Sequence, residues 1–383
     1  MGSGDRKTSE QPSHRFVSNH SLRMNRFVFS VLVRPTRVLF VVLMVMVFTC
    51  NLSVADTSVS GIISVDTTWT LDKSPYIVTS TITVTGTDGE DGVTTLTIEP
   101  GVTLLFNTYC GLTIGGQTGD PGALSALGTL EAPVRFTSLD SWYGLKFLNT
   151  TEDTLTVLNH CEITNTRGVY LSSVLYGAVV ITDASPVIKN SIIKNNARTG
   201  IVINGASSPQ LLSNTIASNG NYGIYSYSTQ QHTISGNELT GNGDYDIYFV
   251  NSNNNPIVNG NTFNNGIFLP IGYLPDTASN TNTINYNSSY PLSFAPDCVS
   301  GVVNHWTINN TDSNSVLKVM GGTLTMDGSW NNKLSYNITG NITIQGTDGE
   351  DGITTLNVES GATLRFNTNC TLTIGGQTGD PGA

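Results

Sequence analysis

The sequence predicts an all-β protein, a right-handed parallel β-helix whose coils hold roughly 23 residues and three short strands each. Three observations predict it. Asn190, Asn214, Asn237 and Asn261 recur at intervals of 24, 23 and 24 residues. A second series, Gly200-Ile201, Gly223-Ile224 and Asp246-Ile247, runs in step at 23 and 23, and Pro186 and Pro209 are also 23 apart. After the second marker the chain reads Ile201-Val202-Ile203, Ile224-Tyr225-Ser226 and Ile247-Tyr248-Phe249. That is the period-two alternation of a strand with one buried face. A fixed short period marks a solenoid, and this unit is too short for two helices and a turn.

Residues 1–55 read as a leader outside the fold. Seven basic residues lie in 1–37, an apolar run follows from Val38 to Phe48, and Ser53-Val54-Ala55 offers small residues for cleavage before Asp56. The basic region is long enough that Met24 is an alternative start. The apolar run is short of the ~20 residues that span a bilayer, and Val47-Phe48-Thr49-Cys50 is a poor lipoprotein box. Without the leader the balance is 17 − 7 = 10 basic against 28 − 2 = 26 acidic residues, a net charge near −16. Such a surface repels phosphates, which excludes nucleic acid as a partner. It suits a secreted, cell-surface or periplasmic protein that no longer touches a membrane.

Residues 56–262 form the first unit. It opens with Thr81-Ile82-Thr83-Val84, Thr95-Leu96-Thr97-Ile98 and Gly101-Val102-Thr103-Leu104, read as wider first coils. In the regular coils, a piece such as Pro186-Val187-Ile188 or Gln210-Leu211-Leu212 precedes each marker asparagine. A second piece, such as Asn214-Thr215-Ile216, follows it and is closed by turn residues such as Ser218-Asn219-Gly220. The Gly-Ile strand completes the coil, and coils stack at ~4.8 Å. Asn190, Asn214, Asn237 and Asn261 then form a structural ladder whose amides bond coil to coil. Ile201, Ile224 and Ile247 stack inside, as do Ile203, Ser226 and Phe249. Helix signals are nearly absent beyond the leader.

Residues 263–322 lose the rhythm and, with Pro270, Pro275, Pro291 and Pro296, read as an irregular final coil and a linker. Residues 323–383 open a second unit. Residues 346–383 repeat 86–123 with 30 of 38 positions identical, and the likeness reaches back to Tyr76/Tyr336 and Trp69/Trp330. The second copy stops where the first runs on into Leu124-Ser125-Ala126, so the chain reads as a fragment of a tandem-repeat protein with units of 260 residues.

The Asn-x-Ile and Gly-Ile-x-Ile pattern, best over residues 158–262, resembles the parallel β-helix repeat proteins of the pectate-lyase-like superfamily. The coils look most like the non-enzymatic secreted β-helix domains of that group. The resemblance implies the fold and leaves the function open, because the same cylinder carries lyases, hydrolases, adhesins and binding proteins. Of the polygalacturonase-like residue set only Asn310-Thr311-Asp312 is present, alone. The mature chain has three scattered histidines, His160, His232 and His305, and its four cysteines lack metal spacing. No catalytic residues are therefore assigned.

Two constellations remain. The acidic turn Asp88, Glu90 and Asp91 returns as Asp348, Glu350 and Asp351. Three carboxylates in a Gly-flanked loop suit Ca²⁺, which would raise the melting temperature, but a solvated turn is the simpler explanation; no other cofactor is expected. The second is aromatic. The coil register places Tyr170, Val202, Tyr225 and Tyr248 outward in one stack and Thr199, Tyr222 and Tyr245 in another, with Asp244 and Asp246 beside them, and Lys194 and Arg198 next to that face. Aromatic rows near polar groups grip sugar rings, whereas tyrosines also simply favour strand surfaces. The expected function is a secreted or cell-surface binding or structural module directed at polysaccharide or a surface glycan. A polysaccharide lyase or hydrolase and an adhesin are the alternatives.

Overall fold

The computed structural model describes residues 56–172, 175–250, 256–270, 281–287, 291–312, 314–348, 351–376 and 381–382. The expected leader therefore lies outside the described residues. Val54–Ala383 forms one compact unit.

The alternating pattern folds as it predicts. In-register parallel pairing links strands 23 residues apart, for example Gln210–Leu212 with Thr233–Ser235 and Thr215–Ala217 with Glu238–Thr240. Three rows of strands wind round the axis, and each contributes at least one inward side chain per rung. One inner row runs Phe136, Ile163, Ile193, Ile216, Leu239, Phe263 and Ile284. A second runs Leu145, Val179, Ile201, Ile224, Ile247, Ile267 and Leu292. A third runs Ala126, Leu158, Ile188, Leu211, Ile234 and Val258. All of these side chains are buried and belong to one apolar cluster. The core is thus a column of stacked branched side chains, packed like a crystal interior.

The inner stack of Ile203, Ser226 and Phe249 departs from expectation at its middle member. Ser226 leaves space beside the apolar column, and buried His232 fills it. The His232 ring lies edge-on to Phe249 at 5.9 Å, and its Nε2 is 3.2 Å from Ser226 Oγ. A small polar side chain in the stack is thereby matched by a polar ring rather than by an apolar neighbour.

The asparagine ladder is real but shifted by one residue at its first position. Asn214 Oδ1 accepts the Ser191 backbone N–H at 2.9 Å. Asn237 Oδ1 accepts the Asn214 backbone N–H and Nδ2 at 2.9 and 3.0 Å. Asn261 Oδ1 accepts from Asn237 in the same way, and Asn282 Oδ1 from Asn261. The ladder is therefore Ser191, Asn214, Asn237, Asn261 and Asn282. Asn190 is exposed and outside it. Its register partner is Ser213, and both have positive φ, 49° and 54°, as do Gly236 and Gly260 further along. Asn190 serves that left-handed turn, which asparagine tolerates better than most residues.

A second ladder, read from sequence only as turn residues, consists of Asn196, Asn219 and Asn242. Each Nδ2 donates to the Oδ1 of the next, at 2.9 and 3.0 Å, and to a carbonyl of the preceding coil. At its far end Asn242 Nδ2 donates to Asp246 Oδ1 at 2.8 Å.

The stretch expected as a linker instead carries rungs. Ile267 pairs with Leu292, Leu292 with Leu317, Leu317 with Tyr336 and Tyr336 with Leu364, so both copies stand in one continuous stack. A helix that the sequence reading missed, Pro296–His305, sits at the junction and buries Cys298, Val299, Val302 and Val303. Pro at its first turn and apolar residues three and four apart were the available signal. Val303 O accepts from Asn331 Nδ2 at 2.7 Å, and Ser300 Oγ accepts the Ser329 N–H at 3.0 Å, which ties the helix to the second copy. The repeat is structural as well: Trp69 stacks on Tyr76 at 4.8 Å, and Trp330 on Tyr336 at 5.2 Å.

Candidate functional site

The site is the outer face of one strand row. The strands Thr199–Gly205, Ile224–Ser228, Tyr245–Phe249 and Gly266–Leu269 are successive rungs. Their inward residues are the isoleucines of the core, so the residue after each isoleucine points out. Register places Val202, Tyr225, Tyr248 and Phe268 in one outer row. The next row outward of the strand starts holds Thr199, Tyr222 and Tyr245, and ends at Gly266.

Stacking at the rung spacing brings five rings together. Tyr225 and Tyr248 lie parallel, 5.4 Å apart with an interplanar angle of 4°, and Tyr248 stacks on Phe268 at 4.4 Å and 11°. Tyr222 leans against both Tyr225 and Tyr248 at 5.2 Å, tilted by 52° and 48°. Tyr245 meets Tyr248 and Phe268 edge-on. All five rings are half-buried. Desolvation within the cluster pushes the phenols of Tyr222, Tyr225 and Tyr245 above the usual range, and neighbouring phenols and Asp244 add to the shift at Tyr222. The phenols therefore stay neutral donors throughout the physiological range.

Phe268 was not foreseen. It falls 20 residues after Tyr248 rather than 23, because the turn between Phe263 and Gly266 is shorter than its counterpart in the preceding coil and the pairing register slips by one more residue between Tyr245 and Ile247. Gly266 belongs to the same slip: a Cβ there would lie 2.9 Å from Tyr245 Cδ1, so the glycine makes room for the ring.

Other expected members of the site are placed differently. Asp246 is fully buried. Its Oδ2 accepts the N–H groups of Asn264 and Asn265 at 2.8 and 2.7 Å, while Oδ1 takes the Asn242 amide. It closes the second ladder and faces no ligand, which corrects its assignment as a binding residue. Burial raises its carboxyl above the normal carboxylate range. Asp244 is exposed beside the cluster, with Asn221 Nδ2 3.4 Å from its Oδ2. Tyr170 is not in the parallel stack. It lies in the strand Val169–Ser172, antiparallel to Leu175–Thr182, and the row position is Val180. Val169 of this hairpin packs with Val180 and Val202, which leaves Val202 buried, and Tyr225 borders that cluster. The hairpin ends the aromatic face on one side. Lys194 is ion-paired with Glu162 at 3.0 Å, and Arg198 lies over the Tyr176 ring at 5.7 Å.

In the acidic turns the aspartates serve the backbone. Asp88 Oδ2 accepts the Asp66 N–H at 2.7 Å, and Asp348 Oδ2 accepts the Asp327 N–H at 2.8 Å. Asp91 and Asp351 each accept the N–H two residues on, at 3.0 Å. Glu90 is exposed, and Glu350 lies outside the described residues. Among the described residues no group of three or more His, Cys, Asp or Glu is placed to hold a metal ion. No disulfide joins the described cysteines Cys110, Cys161, Cys298 and Cys370. No described helix is long and apolar enough to cross a membrane.

No curated protein and no solved structure matches the chain. Residues 144–298, which hold the aromatic cluster and both amide ladders, match the family model described as a right handed beta helix region. With its stacked parallel rungs, the chain folds as a right-handed parallel β-helix.

Proposed function

We propose that the protein is a secreted or cell-surface binding module that grips polysaccharide through its tyrosine face and carries out no chemistry there. The observation that supports this is the five-ring cluster of Tyr222, Tyr225, Tyr245, Tyr248 and Phe268 on the outside of the cylinder. The rings hold one another in place, so binding orders few rotamers. Stacked face to face, Tyr225 and Tyr248 present their edges and hydroxyls outward at rung spacing. Those hydroxyls can exchange hydrogen bonds with sugar hydroxyls, while the tilted Tyr222 ring offers an apolar surface to a sugar face. Asp244 adds one acceptor. With Asp246 buried, the described residues of the face lack the pair of accessible carboxylates that glycoside hydrolysis uses, which favours binding over cleavage.

The test is a glycan array of residues 56–383 beside the Tyr225→Ala/Tyr248→Ala variant, with every hit then assayed for cleavage. The expected result is a set of polysaccharide hits that the variant loses by at least tenfold, without product release. Hits retained in full by the variant would sink the tyrosine face, and reducing or unsaturated ends would replace binding by catalysis.

A further inference from the structure

A cleft of about 600 Å³ lies at the corner where three later rungs end. Its walls include Asn264, Asn285, Tyr286, Asn310, Asp312 and Asn314. We infer that this cleft, which none of the five rings of the tyrosine face lines, is a second saccharide site, for an uncharged oligosaccharide. The inference rests on the polysaccharide reading above and names a second place and a ligand class within it.

The floor is fixed by pairing. Asn264, Asn285 and Asn309 are register partners on successive rungs. Asn285 Nδ2 donates to Asn264 Oδ1 at 2.6 Å, and Asn309 Nδ2 donates to Asn285 Oδ1 at 3.1 Å. This is a third amide ladder, on the outside of the cylinder, where it braces no core. The ring of Tyr286 forms a rigid wall. Its hydroxyl accepts the Val316 N–H at 2.8 Å and donates to Val316 O at 3.1 Å, so the ring is held at its hydroxyl end. The rim is set by Asp312, whose Oδ1 accepts the Asn314 N–H at 2.8 Å, and whose own N–H is bonded to Ser315 Oγ at 2.8 Å.

The chemistry of these walls selects the ligand. Amides and hydroxyls each donate and accept, as sugar hydroxyls do, and a pinned aromatic ring suits the apolar face of a pyranose. The volume lies within the ~300–1,000 Å³ of ordinary ligand sites. Asp312 supplies the cleft's charge, in a protein with a large acidic excess, so uronates and sulfated sugars are repelled. A single carboxylate, already engaged at one oxygen, does not make an acid–base pair. The Asn310-Thr311-Asp312 motif thus serves recognition, not hydrolysis.

The experiment compares the wild type, the tyrosine double variant and Asn310→Gly/Asn314→Ala on neutral and acidic oligosaccharides by calorimetry. Asn310 has φ of 59°, so glycine fits its backbone, and the melting curve of each variant checks the fold. The expected result is that the cleft variant binds neutral oligosaccharides at least tenfold more weakly, keeps its melting temperature, and retains the ligands lost by the tyrosine variant. Neutral-sugar binding unchanged in the cleft variant overturns the cleft while leaving the polysaccharide reading intact. So does a wild type that binds acidic oligosaccharides alone. A wild type that binds no oligosaccharide overturns both.

Discussion

Asn237→Ala destabilises the protein by about 4 kcal/mol, whereas Asn190→Gly changes stability by less than about 0.5 kcal/mol. The two asparagines look alike in sequence, and the difference follows from where their amides go. Asn237 Oδ1 takes two donors from Asn214, and its Nδ2 donates to Leu211 O at 2.9 Å and to Asn261 Oδ1 at 3.0 Å. Alanine takes away the partner that the buried Asn214 backbone N–H and the Leu211 carbonyl find in Asn237, and it costs the Asn214 amide one of its two bonds, the other being to Ile188 O. Each such group costs about 1–3 kcal/mol. Asn190 is exposed and sits at φ of 49°, where the later coils place Gly236 and Gly260. Glycine adopts that conformation without strain and removes one exposed amide contact, Nδ2 to Asn159 Oδ1 at 2.9 Å. Urea unfolding of both variants decides the matter. Equal losses would mean that both positions belong to the ladder.

That pair of variants also shows where sequence periodicity is informative. Inward isoleucines were legible because burial on one face of a strand forces alternation and the coil length forces the period. The asparagine series was legible for the same reason, yet its first interval of 24 mixed two registers. Asn190 stands where the later coils place Ser213 and Gly236, and the true first member is Ser191. Asn196, Asn219 and Asn242 carried a regular interval of 23 and were still read as turn residues, since an asparagine at a turn and an asparagine in a ladder look the same in one dimension. Asp246 was misread because it follows the tyrosine series in sequence. Only the fold shows that its side chain turns inward to end the second ladder. The cleft and Phe268 were illegible because loops of unequal length set the later rungs out of step, and periodicity carries no signal there.

The second large effect concerns acid. As pH drops from about 6.5 to about 4, His232 takes about 3 kcal/mol from the stability of the fold. His232 is buried in the cylinder. Its Nε2 lies 3.2 Å from Ser226 Oγ, its Nδ1 lies 3.1 Å from Gln230 O, and Phe249 flanks the ring. The neutral ring satisfies this setting: Nδ1–H donates to the carbonyl and Nε2 accepts the serine hydroxyl. Desolvation pushes the imidazolium pKa down from 6.5 to about 4, with the Gln230 carbonyl opposing it weakly. The unfolded chain therefore takes up a proton that the folded chain refuses throughout this window. The contribution is fully present above pH 6.5 and is gone by pH 4. Buried Asp246 and half-buried Asp153 and Asp297 act in the opposite sense. Their raised carboxyl pKa values favour the folded state as they protonate. A difference measurement removes them. His232→Leu/Ser226→Ala replaces the polar pair with apolar groups that continue the Ile203 and Phe249 stack, and leaves those carboxylates in place. Unfolding free energies at pH 7 and pH 4.5 should therefore fall further for the wild type than for the double variant. Parallel pH slopes in the two proteins would show that His232 is not held neutral, and that the acid sensitivity of the cylinder arises elsewhere.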